Sequence, residues 1–198
     1  MLDKWHVNTD AGYKLGKSNG SLILTQHNTA LFSGYLSKQM DDSENPRGQM
    51  TGYVNMRSLT QHRSFGSIIN FSLHNWTHFL FKVRGDGRTY TIILNTPRHS
   101  NLTKTYVYSY PLFTRGGPYW QYSKIPISKF IAGAYGRITD VQYRLPDNII
   151  QNIGITLMDK TEGNFSLEVD YIGLVKDNNA VEDHSYEMFK VPKFTSNT

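Results

Sequence analysis

The sequence predicts an all-β chain folded as an antiparallel β-sandwich or jelly roll. Apolar residues recur at every second position in short runs, which is the period of a strand with one buried face. Gly, Pro, Asn and Asp separate these runs, and no stretch keeps the 3.6-residue period of a long helix. About nine short strands without a long helix between them are typical of these two architectures.

The first part of the chain predicts three strands and two loops. The strands cover residues 21–26, 30–36 and 52–59, and a polar loop covers 41–48. Residues 60–77 have no clear period, so we expect an irregular loop there.

The clearest hairpin follows, with its turn at Gly85-Asp86-Gly87. Before the turn, Phe79, Phe81 and Val83 alternate with Leu80, Lys82 and Arg84, and a second strand covers 88–95. Two glycines around an aspartate suit a loop that needs positive φ angles.

A second reversal carries an unusual amount of aromatic surface. We expect a strand over 106–113, a turn at Arg115-Gly116-Gly117-Pro118, a return strand over 119–124 and a short helical turn over 126–131. Gly116 and Gly117 tolerate positive φ, and Pro118 has a fixed φ. The aromatic residues that flank this turn are Tyr108, Tyr110, Tyr119, Trp120 and Tyr122. They either fill the core or contact a partner.

Two further strands, at 153–158 and 165–172, complete the predicted sandwich. In the second, Phe165, Leu167, Val169 and Tyr171 are expected on one face. We therefore predict one domain over residues 1–176. Residues 177–198 are predicted to form a polar C-terminal tail that packs partly on the domain through Tyr186, Met188 and Phe189.

Composition excludes several classes of protein. The net charge is +5 and the pI is about 9.3, but the basic residues are scattered, so a nucleic-acid partner is not expected. The absence of cysteine excludes disulfides and thiolate metal sites. No apolar run approaches a membrane span. The first residues do not resemble a signal or transit peptide, so we expect that a leader has been removed or that the protein works where it is made.

No sequence motif predicts a catalytic residue, a cofactor or a metal site. Glu168 and Asp170 lie two positions apart, which would place their Cβ atoms about 7 Å apart, within the range of a glycosidase acid and base. A solvated outer face is the more ordinary interpretation of this pair.

Three groups of motifs, in this order, resemble one known family. They are Val83–Tyr90 (Val-Arg-Gly-Asp-Gly-Arg-Thr-Tyr), Phe113–Gln121 with Lys124–Phe130, and Ile153–Lys160 with Phe165–Gly173. Together they are similar to the mitochondrial complex I intermediate-associated proteins. The resemblance implies a galactose-binding-like β-sandwich that acts as a non-enzymatic assembly chaperone in the mitochondrial matrix. Its partners would be respiratory complex I assembly intermediates and other assembly factors, and its contact with the inner membrane would be peripheral at most.

The two glycine turns are the predicted partner surface, because aromatic and arginine side chains carry most of the energy of protein interfaces. Its proposed members are Arg84, Asp86, Arg88, Arg115, Tyr119 and Trp120. An alternative function is that of a carbohydrate-binding module, in which Tyr106, Tyr108 and Tyr110 would stack on sugar rings. A surviving sugar site of this kind would be vestigial in an assembly factor.

Overall fold

The fold is known from a computed structural model that describes residues 2–39, 52–97, 107–134, 137–140, 142–146 and 150–179. Its strands are β1 (Trp5–Thr9), β2 (Asn19–Leu24), β3 (Ala30–Leu36), β4 (Val54–Ser58), β5 (Gln61–His62), β6 (Ile68–Ile69), β7 (His78–Gly85), β8 (Thr89–Asn95), β9 (Val107–Phe113), β10 (Gln121–Pro126), β11 (Ile131–Ala134), β12 (Arg137–Ile138), β13 (Asn152–Leu157) and β14 (Gly163–Val175).

Two antiparallel sheets form the sandwich. One has seven strands in the order β1-β4-β13-β8-β9-β11-β12, and the other has five in the order β10-β7-β14-β3-β2. A separate two-stranded pair is formed by β5 and β6. The predicted all-β antiparallel sandwich is therefore confirmed.

The core lies between the two sheets and follows the alternation seen in the sequence. Phe81 and Val83 of β7 are fully buried, as are Tyr90 and Ile92 of β8. Both strands alternate buried and half-buried residues throughout, as predicted. The predicted hairpin was wrong, because β7 belongs to the five-stranded sheet and β8 to the seven-stranded sheet, so the turn at residues 85–87 connects the two sheets. Aromatic rings also pack across strands, as where Phe32 and Phe165 have centroids 5.0 Å apart.

Several strand boundaries differ from the prediction. The return strand after the aromatic turn begins two residues later than expected, at Gln121, and the short helical turn is confirmed at Ile127–Lys129. Strand β1 was not predicted, because Trp5–Thr9 has only a partly buried pattern. The predicted loop at 41–48 and residues 180–198 of the predicted tail lie outside the described residues.

The last strand, β14, contains a bulge that reverses the predicted face of two residues. Val169 pairs with Val83 and Tyr171 pairs with Lys82, so Asp170 is an extra residue between them. One extra residue shifts the alternation by one position. Tyr171 is therefore exposed, and Ile172 packs against the core instead, so the prediction that Tyr171 shares a face with Val169 was wrong.

A buried carboxylate joins the N-terminal segment to the start of β4. Asp10 is fully buried and accepts hydrogen bonds from the backbone N–H groups of Ala11, Ser18 and Gly52 at 2.8, 2.9 and 2.7 Å. The Ser18 hydroxyl donates a further bond at 3.1 Å.

Within the described ranges, no helix has the length and apolar character needed to cross a membrane.

Candidate functional site

The structure brings the two predicted turns into direct contact. Thr114 accepts a hydrogen bond from the Gly87 backbone N–H at 3.1 Å and donates one to the Arg88 carbonyl at 2.7 Å. A Cβ atom on Gly85 would lie 2.4 Å from Cβ of Thr114, so the first turn can approach the second only because residue 85 is glycine. Gly117, with φ of 106°, completes the second turn as predicted.

Trp120 is the centre of the surface that these turns support. The Arg84 guanidinium carbon lies 5.0 Å from the centroid of its ring, and the Lys82 ammonium lies 5.4 Å from it. Lys82 also lies 5.7 Å from the Tyr122 ring, which is opposite it in the β7–β10 register. The indole is therefore held in place by two cation–π contacts.

The Arg84 side chain is held in place by the buried carboxylate of Glu168. Its Nε donates to Glu168 at 2.9 Å, and a terminal nitrogen forms an ion pair with the same oxygen. The Thr29 hydroxyl also donates to Glu168. Burial raises the pKa of Glu168, but the hydrogen bonds from Thr29 and Arg84 and the charge of Arg84 outweigh this effect and lower the pKa overall. Glu168 therefore stays ionised and keeps Arg84 in position.

Arg88 is directed into the molecule. Its side chain is 12% exposed, and it donates from Nε and a terminal nitrogen to both carboxylate oxygens of Asp159, at 2.8 and 2.6 Å. Its remaining donors reach the carbonyl oxygens of Thr161, Gly163 and Asn164. Arg88 therefore holds the turn between β13 and β14 against the start of β8.

The pair with Arg88 changes the acidity of Asp159. Burial raises the pKa of this carboxyl, but the hydrogen bonds from Arg88 and from the Thr161 backbone, together with the charge of Arg88, lower it further than burial raises it. The carboxylate is therefore ionised over the whole neutral range.

Asp86 also has a structural environment. One carboxylate oxygen accepts from the Tyr90 hydroxyl at 3.1 Å and from the Ser166 backbone N–H at 2.8 Å. The other accepts from the Arg88 backbone N–H at 3.0 Å. Although Asp86 is exposed, its hydrogen bonds fasten the β7–β8 turn to β14.

The six predicted residues thus divide by position. Asp86 and Arg88 support the turns. Arg84 contacts the Trp120 ring and the Pro118 carbonyl at the surface of the second turn, where Arg115 and Tyr119 are also exposed. Tyr119 is 83% exposed, and within the described residues the Arg115 side chain has no ion-pair partner. Lys82 and Tyr122 belong to the same surface, although sequence reasoning did not assign them to it. We call this surface the aromatic corner, and it consists of Lys82, Arg84, Arg115, Tyr119, Trp120 and Tyr122.

The predicted tyrosine platform of the alternative function was wrong. Tyr108 is buried in the core, with its hydroxyl donating to the Arg144 carbonyl at 3.1 Å. Tyr110 packs against the core, with its ring 5.7 Å from that of Phe130. Both side chains point inward because even positions of β9 face the other sheet. Tyr106 lies outside the described residues.

The carboxylate pair is also differently placed from the prediction. Glu168 is buried under Arg84, and Asp170 lies in the bulge, where it pairs with Lys82 at 2.6 Å. Each carboxylate therefore has its own cation, and the two do not face a common cleft.

A groove of about 630 Å³ crosses the outer face of the seven-stranded sheet. Its polar lining comes mainly from neutral side chains, namely Asn8, Asn55, Thr91, Asn95, Ser109 and Thr156. Tyr13, Tyr53 and Arg57 also line it. Burial, followed by the proximity of Tyr13 and Asp10, raises the pKa of Tyr53, so its hydroxyl remains a hydrogen-bond donor. Sequence reasoning missed this groove, because its residues come from strands that are distant in sequence.

Comparison with solved structures shows the fold. A family 11 carbohydrate-binding module of a cellulosomal cellulase from Clostridium thermocellum superposes with a TM-score of 0.54 and 14% sequence identity, covering 88% of each chain. This likeness confirms the galactose-binding-like β-sandwich.

Comparison of sequences shows the family. A probable mitochondrial complex I intermediate-associated protein 30 of Caenorhabditis briggsae is 42% identical over 98% of this chain and 57% of its own length. The mitochondrial complex I intermediate-associated protein 30 of Drosophila melanogaster is 38% identical over 98% of this chain and 66% of its own length. The chain thus spans about three fifths of the length of these relatives. The family model for complex I intermediate-associated protein 30 (CIA30) matches residues 1–169. The chain belongs to the complex I intermediate-associated protein 30 family.

Proposed function

We propose that this chain is a non-enzymatic assembly factor for respiratory complex I in the mitochondrial matrix. In this role it binds assembly intermediates and other assembly factors and makes or breaks no covalent bond. The names of its relatives support the process and the compartment. The observation that carries the binding mode is the aromatic corner, where an indole clamped by two cations lies beside an almost fully exposed tyrosine.

The geometry of the aromatic corner suits docking of a protein. Trp120 is already ordered by Arg84 and Lys82, so little side-chain entropy is lost when a partner covers it. Both turns are held by hydrogen bonds within the sandwich, so the exposed groups have a defined spacing. Tryptophan, tyrosine and arginine are the residue types that dominate binding energy at interfaces.

The charges of the aromatic corner indicate the chemistry of its partner. Lys82 and Arg84 are paired with Asp170 and Glu168, whereas Arg115 has no such partner within the described residues. We therefore expect the partner to offer an apolar recess for the aromatic rings and a carboxylate for Arg115.

The test is affinity purification from mitochondria of cells that lack the endogenous protein. Tagged wild-type chain should recover complex I subunits and assembly factors, quantified by mass spectrometry. Trp120→Ala should weaken the interaction about 30-fold, the effect of losing an interface residue that contributes about 2 kcal/mol. Arg115→Ala and Tyr119→Ala should also reduce recovery.

The matched control is Ile23→Ser, on an exposed residue at the opposite edge of the same sheet. It should leave recovery unchanged, and all variants should keep the wild-type melting temperature. Undiminished recovery with folded Trp120→Ala and Arg115→Ala would overturn the proposal that the aromatic corner binds partners.

A second candidate function is binding of an uncharged carbohydrate in the groove of the seven-stranded sheet. The observation that favours it is the lining, which combines amides, hydroxyls and two tyrosines with apolar side chains and Arg57 and contains no carboxylate. Amides and hydroxyls both donate and accept, as sugar hydroxyls require, and tyrosine rings can stack on sugar faces. Calorimetry with a series of neutral oligosaccharides tests it: Tyr13→Ala and Asn55→Ala should abolish saturable heat, and Tyr119→Ala should not. No heat with the wild-type chain would contradict it.

A further inference from the structure

The hairpin formed by β5 and β6 is separate from the two sheets of the sandwich. Its strands pair Gln61 with Ile69 and His62 with Ile68. After β6, Phe71 donates its backbone N–H to the Ile150 carbonyl at 2.6 Å, and Leu73 is buried in the core. The segment is therefore attached to the domain after the hairpin, while the tip between the strands is free of the sandwich.

The tip places a large apolar side chain entirely in solvent. Residues 62–68 are all exposed, and Phe65 is the most exposed large apolar residue in the described part of the chain. Ile68, beside it on β6, is also exposed. These side chains contribute nothing to the core.

The backbone at Phe65 strengthens this argument. Phe65 has φ of 67°, in the left-handed region, where glycine or asparagine is the favourable choice. The tip is nevertheless well defined, because Gly66 donates to the Arg63 carbonyl at 3.1 Å and Arg63 donates to the Ser67 carbonyl at 2.8 Å. An aromatic residue that is strained, ordered and uncovered stabilises neither the hairpin nor the core, so we expect its function to be contact with an apolar phase outside the chain.

The charges around the tip indicate what that phase is. Between residues 58 and 77 the sequence contains no Asp or Glu, and Arg63 is its one Lys or Arg residue. Arg63 is exposed next to the tip and has no ion-pair partner within the described ranges. Trp76, of a residue type enriched at membrane interfaces, is exposed seven positions after Ile69. An exposed apolar tip, beside a cation without an ion-pair partner in the described part of the chain and with no acidic neighbour in sequence, matches an anionic bilayer surface.

We propose that the 61–69 hairpin is a peripheral membrane anchor that inserts Phe65 and Ile68 between the lipids of an anionic phospholipid bilayer. Arg63 then lies at the level of the headgroup phosphates. The site is independent of the aromatic corner, so a failure of lipid binding would leave the proposed assembly function intact.

The test is co-sedimentation of the purified chain with vesicles of phosphatidylcholine alone and of phosphatidylcholine mixed with phosphatidylglycerol. The wild-type chain should bind the mixed vesicles more tightly. Phe65→Ser should lower the partition coefficient about 10- to 100-fold, the effect of losing one buried phenyl group. Arg63→Gln should lower it about five-fold, and only on the mixed vesicles.

Two matched substitutions control for general stickiness and charge. Phe113→Ser removes an exposed phenyl group and Lys38→Gln removes an exposed cation, both far from the hairpin in sequence, and neither should change partitioning. Phe65→Gly relieves the backbone strain, so it should remain folded and lose lipid binding as Phe65→Ser does.

The proposal is overturned if the wild-type chain does not bind the mixed vesicles or if Phe65→Ser binds them equally well. It is also overturned if Phe65→Ser changes only the recovery of a protein partner, because the hairpin would then occupy a protein pocket.

Discussion

Replacing Arg88 tests whether this residue supports the fold or contacts a partner. Arg88→Met keeps most of the volume of the side chain but leaves Asp159 without its cation in a site where that side chain is only 16% exposed. Removing one partner of a buried ion pair costs about 3–5 kcal/mol. Three carbonyl oxygens also lose a donor, so we expect a loss in the upper part of this range.

Urea denaturation followed by tryptophan fluorescence measures this loss as a change in the free energy of unfolding. Arg88→Lys should lower the free energy of unfolding less than Arg88→Met, because lysine keeps the positive charge. It should still be destabilising, because lysine cannot form the two parallel bonds to the carboxylate. Combining Arg88→Met with Asp159→Asn should be less destabilising than the sum of the single changes. A loss below about 1 kcal/mol for Arg88→Met would refute the structural role and return Arg88 to the candidate partner surface.

Three further predictions concern stability. Asp10→Asn should lower the free energy of unfolding by about 1.5–3 kcal/mol, because an amide N–H₂ would face backbone donors that now bond to a buried carboxylate; an unchanged urea midpoint would contradict this. The pKa values of Asp159 and Glu168 in the folded chain lie below the ordinary values of 3.8 and 4.5. The stabilisation that each ionised carboxylate provides is therefore complete above its ordinary pKa and is lost as the pH falls through its lower, folded-state pKa. Stability measured along an acid series should fall less steeply in the Glu168→Gln variant, and parallel curves would exclude a contribution from this group. Gly34→Ala should lower the free energy of unfolding by at least about 1–3 kcal/mol, because the new Cβ would lie 2.2 Å from the Asn19 carbonyl oxygen. Gly173→Ala, whose Cβ would have its nearest contact at 3.8 Å, serves as the control.

Local sequence patterns predicted most of the scaffold. The strands β7 and β8 and the turn between them followed from two-residue alternation around Gly85-Asp86-Gly87, and the burial agrees with it. Their pairing was not predictable in this way, because β7 pairs with β10 and β14 and β8 pairs with β13 and β9, in the other sheet. The bulge at Asp170 could not be predicted in this way. An unpaired residue leaves the composition of a strand unchanged and reveals itself only in the register with its neighbours.

The candidate site was predictable only in part. Two glycine turns rich in aromatic and basic residues were visible in the sequence, but their contact through Thr114 depends on how β7, β8 and β9 are joined. The role of Arg88 was not visible, because its partner Asp159 is 71 positions away. Lys82 and Tyr122 were missed for the same reason, since they become neighbours only when β10 pairs with β7.

The irregular stretch at 60–77 shows a different limit of sequence reasoning. A two-residue strand is too short to produce a periodic pattern, so the β5–β6 hairpin was expected only as a loop. The groove was likewise invisible, because outward positions of several separate strands create it together.

Hydrogen exchange of the chain bound to a captured complex I intermediate tests the central claim most directly. Residues 114–120 lie between β9 and β10, outside the strand pairing. Thr114 and Arg115 donate backbone hydrogen bonds within the chain, whereas the N–H groups of Gly116, Gly117, Tyr119 and Trp120 should exchange quickly in the free chain. If the aromatic corner is the docking surface, exchange at 114–120 should slow on binding, and Trp120→Ala should remove the effect. Unchanged exchange at 114–120 in a complex that still forms would contradict the account.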